Sequence, residues 1–252
     1  MDNLFSLDGK VAIVTGVSRG LGRAMAIALA KAGANIVGVG LSDMSSTEEE
    51  IRKCGREFLG IHADLTSTDK VDEIVEKTVE KFKRVDILVN NSGTIVREDA
   101  IHYTEEDWDK ILNLNLRTLF FLSQKVAKEF IEEGAGGKII NIASMLSFQG
   151  GIRVPAYTAS KSGVMGLTKA LANEWAKYNI NVNAIAPGYM ETDNTKEIRE
   201  DESRCAEILN RIPAQRWGTP EDLAGAVVFL ASNASNYVNG HILAVDGGWL
   251  AR

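Results

Sequence analysis

Seven short runs of apolar, mostly β-branched residues recur along the chain, separated by stretches with helical spacing. They are Val11–Val14, Asn35–Val37, Phe58–Ile61, Ile87–Val89, Lys138–Ile142, Asn181–Ile185 and Ile242–Val245. Apolar runs this short read as strands buried on both faces. Between them Met25, Leu29 and Ala32, and later Val71, Ile74, Val75, Thr78 and Phe82, fall on single helical faces. Parallel strands need a crossover, and a right-handed helical one packs back onto the sheet. The expected fold is therefore α/β and doubly wound: a seven-stranded parallel sheet with helices on both faces. Such sheets hold ligands beyond the carboxyl ends of their strands, where strand order reverses.

No Ser/Gly-rich linker, repeat or low-complexity segment divides the chain, and 252 residues with 45% apolar content suffice for one domain spanning 1–252. The polar stretch Glu191–Asn210 still carries Ile198, Ile208 and Leu209. It reads either as a lid over the site, residues 189–212, or as a solvated helix pair. No run of about 18 apolar residues occurs, and Met1–Gly9 lacks a basic start and an apolar stretch, so the expected location is the cytoplasm, without membrane insertion. Cys54 and Cys205 have no CxxC spacing and read as reduced thiols, and the scattered His62, His102 and His241 imply no metal. A net charge of −6 with dispersed Lys and Arg disfavours nucleic acid and points to a small-molecule partner.

The segment Thr15-Gly16-Val17-Ser18-Arg19-Gly20-Leu21-Gly22 joins the first strand to the first helix. Glycines there let the backbone turn tightly and approach a pyrophosphate, which the helix amino terminus favours. The spacing is GxxxGxG rather than GxGxxG, and a plain tight turn is the alternative; no Gly-Lys-Ser/Thr follows, which excludes a Walker-type loop. The position at the first strand–helix junction makes a Rossmann-type dinucleotide site the expectation. The second strand closes at Gly40 and is followed by Leu41, so the acidic reader of a ribose 2′-OH is missing, although Asp43 is near and Arg19 suits a 2′-phosphate. NAD is the expected cofactor, with NADP open.

Tyr157 and Lys161 stand four apart in a helix expected over Ala156–Lys177, so their side chains share one face. The alternative is a surface tyrosine lying on a lysine stem. A phenol that exchanges a proton with an alcohol near neutrality must fall about 3 pH units below its reference, and an adjacent ammonium in a dry site works in that direction. Ser144 lies just beyond the fifth strand's carboxyl end.

With Thr15-Gly16-x-x-x-Gly20-x-Gly22, Asn90-Asn91-Ser92-Gly93, Asn115, Ser144, Tyr157-x-x-x-Lys161 and Pro187-Gly188-x-x-x-Thr192 in order, the chain from Leu7 onward resembles the short-chain dehydrogenase/reductase family. The resemblance implies hydride transfer between NAD(P) and a carbinol or ketone carbon, with Tyr157 and Lys161 moving the proton. It implies that Ser144 holds the carbonyl oxygen and that Asn115 holds a water leading protons away from Lys161. It further implies that Gly16, Ser18, Arg19, Gly20, Leu21, Gly22 and Leu41 contact the cofactor, as do Tyr157 and Lys161. Asp64 and Leu65 would flank the adenine, Asn91 and Gly93 line its ribose, and Pro187, Met190 and Thr192 hold the nicotinamide end. Ser92 departs from the family's usual alanine. Within the family the resemblance is to enzymes of sugar acids, which makes Arg97 and Arg153 candidates for the substrate carboxylate, each with a plain surface salt bridge as its alternative. A dehydrogenase acting on C5 of gluconate or a reductase of carrier-bound acyl thioesters would share the catalytic residues, and a nucleotide sensor without turnover is the rival from outside enzymology. Trp108, Leu112, Leu116 and Leu119 read first as a core stripe, while the family's subunit contacts on this helix and the Tyr157 helix imply a homotetramer.

Overall fold

The computed structural model describes residues 4–252; Met1 to Asn3, which begin the Met1–Gly9 segment and the 1–252 span, lie outside the described residues. Seven strands, β1 (Val11–Thr15), β2 (Asn35–Gly40), β3 (Phe58–His62), β4 (Ile87–Asn90), β5 (Gly137–Ile142), β6 (Ile180–Pro187) and β7 (Ile242–Val245), form one parallel sheet. Their order is β3-β2-β1-β4-β5-β6-β7, as expected of a doubly wound α/β fold. It reverses between β1 and β4, which pair through Ala12 with Ile87 and Val14 with Val89.

Strand pleating sends alternate side chains to opposite faces. Ala12 and Val14 join one buried cluster with Met25 and Leu29 of α1 (Gly20–Lys31) and Val227 and Leu230 of α9 (Ala224–Ala231). Val11 and Ile13 face the other side. There they meet Ile74 and Val75 of α3 (Val71–Phe82), Phe130 of α5 (Thr118–Glu133) and Trp175 of α6 (Pro155–Trp175). Two further helices, α2 (Ser45–Lys53) and α7 (Lys196–Glu200), follow β2 and β6, and none of the described helices is long and apolar enough to cross a membrane.

The expected core stripe fails at its first residue. Trp108 of α4 (Glu105–Leu112) is 42% exposed, Leu112 and Leu116 are half-buried, and only Leu119 is buried. A stretch of π-helix, Asn113–Arg117, joins α4 to α5; the buried stripe keeps helical spacing across it but lies on the neighbouring face. The residues turned inward are Ile111, Asn115, Thr118 and Leu122.

At the amino-terminal edge of the sheet Asp86 receives hydrogen bonds from the Val11 N–H (3.0 Å), Lys10 Nζ (3.0 Å) and Arg84 Nε (2.8 Å). Burial pushes its carboxyl up, but these donors outweigh burial and hold it below the ordinary aspartate value. A carboxylate with a depressed folded pKa stabilises the fold above its unfolded pKa and ceases to do so as pH falls through the folded one. Asp86→Ala should therefore cost about 3 kcal/mol of unfolding free energy at pH 7, and urea titrations should show the cost vanishing under strong acid.

Candidate active site

The cofactor cradle follows from where the chain must turn. Gly16 and Gly20 adopt φ of +72° and +55°, where a side chain would be strained, and a Cβ on Gly22 would overlap the Gly16 carbonyl oxygen. The helix that opens at Gly20 has no side-chain cap on Arg19 and no acidic residue in its first turn, so its amino-terminal N–H groups are left to an outside anion. These features fit the pyrophosphate of a dinucleotide. Asn91, at the end of β4, donates from Nδ2 to the carbonyls of Thr15 (2.8 Å) and Gly16 (3.3 Å), and the hydroxyl of Thr15 accepts from the N–H groups of Asn91 and Ser92. Its amide thus builds the loop rather than reaching outward to a ribose. Gly93 lies beside the Asn115 side chain and Lys161 Nζ.

The remaining cofactor candidates ring this crevice. Leu41 follows β2 and is 59% exposed. Asp43 is turned away: its carboxylate accepts from the Ser45 N–H (3.1 Å) and hydroxyl (2.6 Å) at the start of α2. Asp64 is exposed and bonds Thr66, whereas Leu65 beside it is buried. Pro187 closes β6, Met190 is buried, and Thr192 approaches Gly20 while Asp193 meets Arg19 at 3.3 Å.

Ser144, Tyr157, Lys161 and Asn115 converge at the carboxyl ends of β4 and β5. Ser144 Oγ accepts from the Leu146 N–H (3.1 Å), and Ser147 Oγ donates to the Lys161 carbonyl (2.6 Å), which ties the turn after β5 to α6. Asn115 sits in the wide π turn, fully buried. It accepts from the Thr94 N–H (2.9 Å) and donates to the Thr94 carbonyl (3.0 Å) and Ser160 Oγ (3.2 Å).

The electrostatics differ from the simple expectation. Lys161 is 4% exposed, and its Nζ donates to the Ile142 carbonyl at 2.6 Å while lying 5.7 Å from the Tyr157 ring centroid. Burial pulls its ammonium down to about 8. Burial also holds the Tyr157 phenol above its ordinary value, against the hydrogen bond from Ser144 and the charge of Arg97. Burial therefore outweighs the favourable groups around the phenol in this arrangement.

A cavity of about 420 Å³ opens beside Ser144 and Tyr157. Arg97 lines it and donates to the Asn194 carbonyl at 2.8 Å. Arg153 does not line it: its Nε meets Asp99 at 3.0 Å, so the surface salt bridge weighed for it is what the structure shows. The sequence reading missed Arg204 and Arg211 of α8 (Glu202–Arg211), together with Gln149 and Trp249, which also line the cavity. Helical spacing in the 189–212 stretch carried a signal for α8, with Ile208 inward and basic residues around it, but nothing in spacing tells which charged face meets a cavity. Among the described residues no cluster of three His, Cys, Asp or Glu could hold a metal ion.

A lysine charge buried without a counter-ion costs stability, and a lowered folded pKa means the full cost is present below about 8 and is gone by the reference value of 10.5. Lys161→Met should therefore raise the unfolding free energy at pH 7 by about 2–3 kcal/mol while removing turnover. Denaturation at several pH values checks this, with the gain over the parent shrinking from pH 8 to pH 10.5.

Comparison with known proteins supports the same reading of this crevice. Residues 16–250 match the family described as Enoyl-(Acyl carrier protein) reductase. The chain is 62% identical over 248 residues, 98% of each chain, to the 2-dehydro-3-deoxy-D-gluconate 5-dehydrogenase of Escherichia coli strain K12. It superposes with TM-score 0.95 and 52% identity, over 100% of both chains, on a structure from Agrobacterium tumefaciens named for a 2-deoxy-d-gluconate 3-dehydrogenase with bound NADP. A gluconate 5-dehydrogenase from Burkholderia cenocepacia J2315, solved with NADP and tartrate, gives TM-score 0.94 at 36% identity over 99% of this chain and 98% of that one. The chain is thus an NAD(P)-dependent oxidoreductase of the kind acting on CH–OH groups, and it belongs to the short-chain dehydrogenase/reductase family.

Proposed function

We propose that the chain interconverts a hydroxyl and a ketone on a sugar acid, with 2-dehydro-3-deoxy-D-gluconate oxidised at C5 as its reaction, a step of uronate catabolism. The observation that carries this is the cavity: Ser144 and Tyr157 share it with Arg97, Arg204 and Arg211. The walls are largely apolar, with Leu146, Val154 and Ile208 among them, so the guanidinium groups are its distinctive polar feature, and they suit a carboxylate. The names of the full-length relatives point the same way.

The nicotinamide, when bound, supplies or takes the hydride. Ser144 then steadies the substrate oxygen by donating to it, and Tyr157 gives that oxygen its proton or, in the oxidative direction, takes the alcohol proton. Lys161, charged and buried, favours the phenolate left when the proton has gone. Asn115 belongs to the proton path outward from Lys161; with its amide spent on Thr94 and Ser160, a water there is held by main-chain groups of the π turn. The segment 189–212 acts as the lid of a one-domain enzyme. Trp108 and Phe121, both exposed on α4 and α5, support a homotetramer built on these helices, and the protein works in the cytoplasm.

For the cofactor, NAD was the expectation from sequence, yet no carboxylate stands at the end of β2 to exclude a 2′-phosphate, and three solved relatives hold NADP. We therefore assign the chain to both forms, with Arg19 within reach of the 2′ side. The kcat/KM values for NAD and NADP should lie within about tenfold of each other, and Arg19→Ala should lower the NADP value alone.

Offering 2-dehydro-3-deoxy-D-gluconate, gluconate and a carrier-type acyl thioester in turn, while following the absorbance of the reduced cofactor, tests the substrate; fastest turnover of the thioester would end this reading. Tyr157→Phe should lower kcat by about 10³-fold with cofactor binding unchanged. Because burial holds the phenol above its ordinary value, alcohol oxidation should accelerate as pH rises through the alkaline range while ketone reduction does not.

A further inference from the structure

Four guanidinium groups stand in or beside the cavity, and they are not equally free to take an outside carboxylate. Arg153 is paired with Asp99 at 3.0 Å, and Arg204 with Glu207 at 2.8 Å on its own helix. Arg97 and Arg211 have no acidic partner among the described residues.

Arg97 is the nearer of the two to the reacting group. Its charge acts on the phenols of both Tyr157 and Tyr189, whereas those of Arg204 and Arg211 act on Tyr189. Arg97 therefore extends to the reacting end of the cavity, and Arg211 stands at the end of α8.

Arg211 is also the one of the two whose plane is fixed. Its guanidinium carbon lies 3.9 Å from the centroid of Trp249, and one Nη donates to Gln149 Oε1 at 3.2 Å. The same oxygen accepts from Trp249 Nε1 at 3.2 Å, so the indole holds the glutamine that steers the arginine. Trp249 is 4% exposed, which makes this platform rigid although Arg211 itself stays open to the cavity. One corner of the fork is used, and the remaining N–H groups have no partner among the described residues, which suits two-pronged recognition of a carboxylate.

We infer that Arg211, stacked on Trp249 and steered by Gln149, takes the substrate carboxylate, so that the sugar acid lies with C1 beneath α8 and its reacting carbon at Ser144 and Tyr157. This assignment rests on the sugar-acid reading above. It replaces Arg153, and it leaves Arg97 to the reacting end.

The experiment compares 2-dehydro-3-deoxy-D-gluconate with its C1 amide in the parent and in Arg211→Gln, Arg211→Lys and Arg153→Gln. The parent should prefer the acid by about a hundredfold in kcat/KM, and Arg211→Gln should reduce that preference to under about fivefold, through KM, with turnover of the amide and the KM for NADP unchanged. Arg211→Lys should restore part of the preference, since it keeps the charge and loses the fork; Arg153→Gln should keep all of it. A parent that treats acid and amide alike defeats the sugar-acid reading itself. A parent that discriminates, with Arg211→Gln discriminating equally, defeats only the role of Arg211. Should Arg211→Gln fail to fold, an unchanged KM for the acid in Arg211→Lys is sufficient to overturn it.

Discussion

The stitch that Asn91 makes across the ends of β1 and β4 is the contact on which the rest of the site depends. Parallel strands diverge where their order reverses, and that crevice would stay undefined without something to set its width. Asn91 spends its amide on the carbonyls of Thr15 and Gly16, and Thr15 returns the tie by accepting from the backbone of Asn91 and Ser92. The glycine loop, the amino terminus of α1 and the approach to Gly93 and Lys161 are thereby referred to one another. A change at Asn91 would disturb the glycine loop through these bonds.

The chemistry is held by a second arrangement that works against stability. Lys161 is buried beside a main-chain oxygen with its charge unmatched, and Tyr157 is a half-buried phenol at the cavity wall, held above its ordinary value. Partial removal from water is also the condition under which a small movement of charge changes a proton affinity strongly. The site is poised rather than already ionised, and the positive charge of an oxidised nicotinamide would be felt by the phenol far more in this setting than in water.

The sheet was legible because its strands are short, apolar and β-branched, and because the loop after β1 needs glycine for steric reasons that show directly as residue type. The position of Tyr157 and Lys161 on one helical face followed from their spacing. The core stripe through Trp108 was misread because two neighbouring faces carry helical spacing, and the face that is buried, Ile111, Asn115, Thr118 and Leu122, includes two polar residues where an apolar stripe was sought. Arg153 looked equivalent to any other arginine near the motif, and only its neighbour Asp99, close in space through a turn in which Arg153 has φ of +63°, withdraws it from the cavity. Arg211 and Trp249 are separated by a whole strand, so no local pattern could join them.

The π turn has a consequence for how this chain can change over time. A wide turn holds one residue more than an α-helix needs, so loss of a single residue between Asn113 and Arg117 would let α4 and α5 merge into one regular helix. Merging would be favoured by backbone hydrogen bonding, and because the wide turn already absorbs the extra residue, the faces of α4 and α5 would keep nearly their present phase while the turn itself was lost. Asn115, which sits in that turn, would leave Thr94 and Ser160. Local helical regularity and the buried asparagine are therefore mutually exclusive here, and length in this segment is held constant by geometry even where the identity of its residues is free to drift.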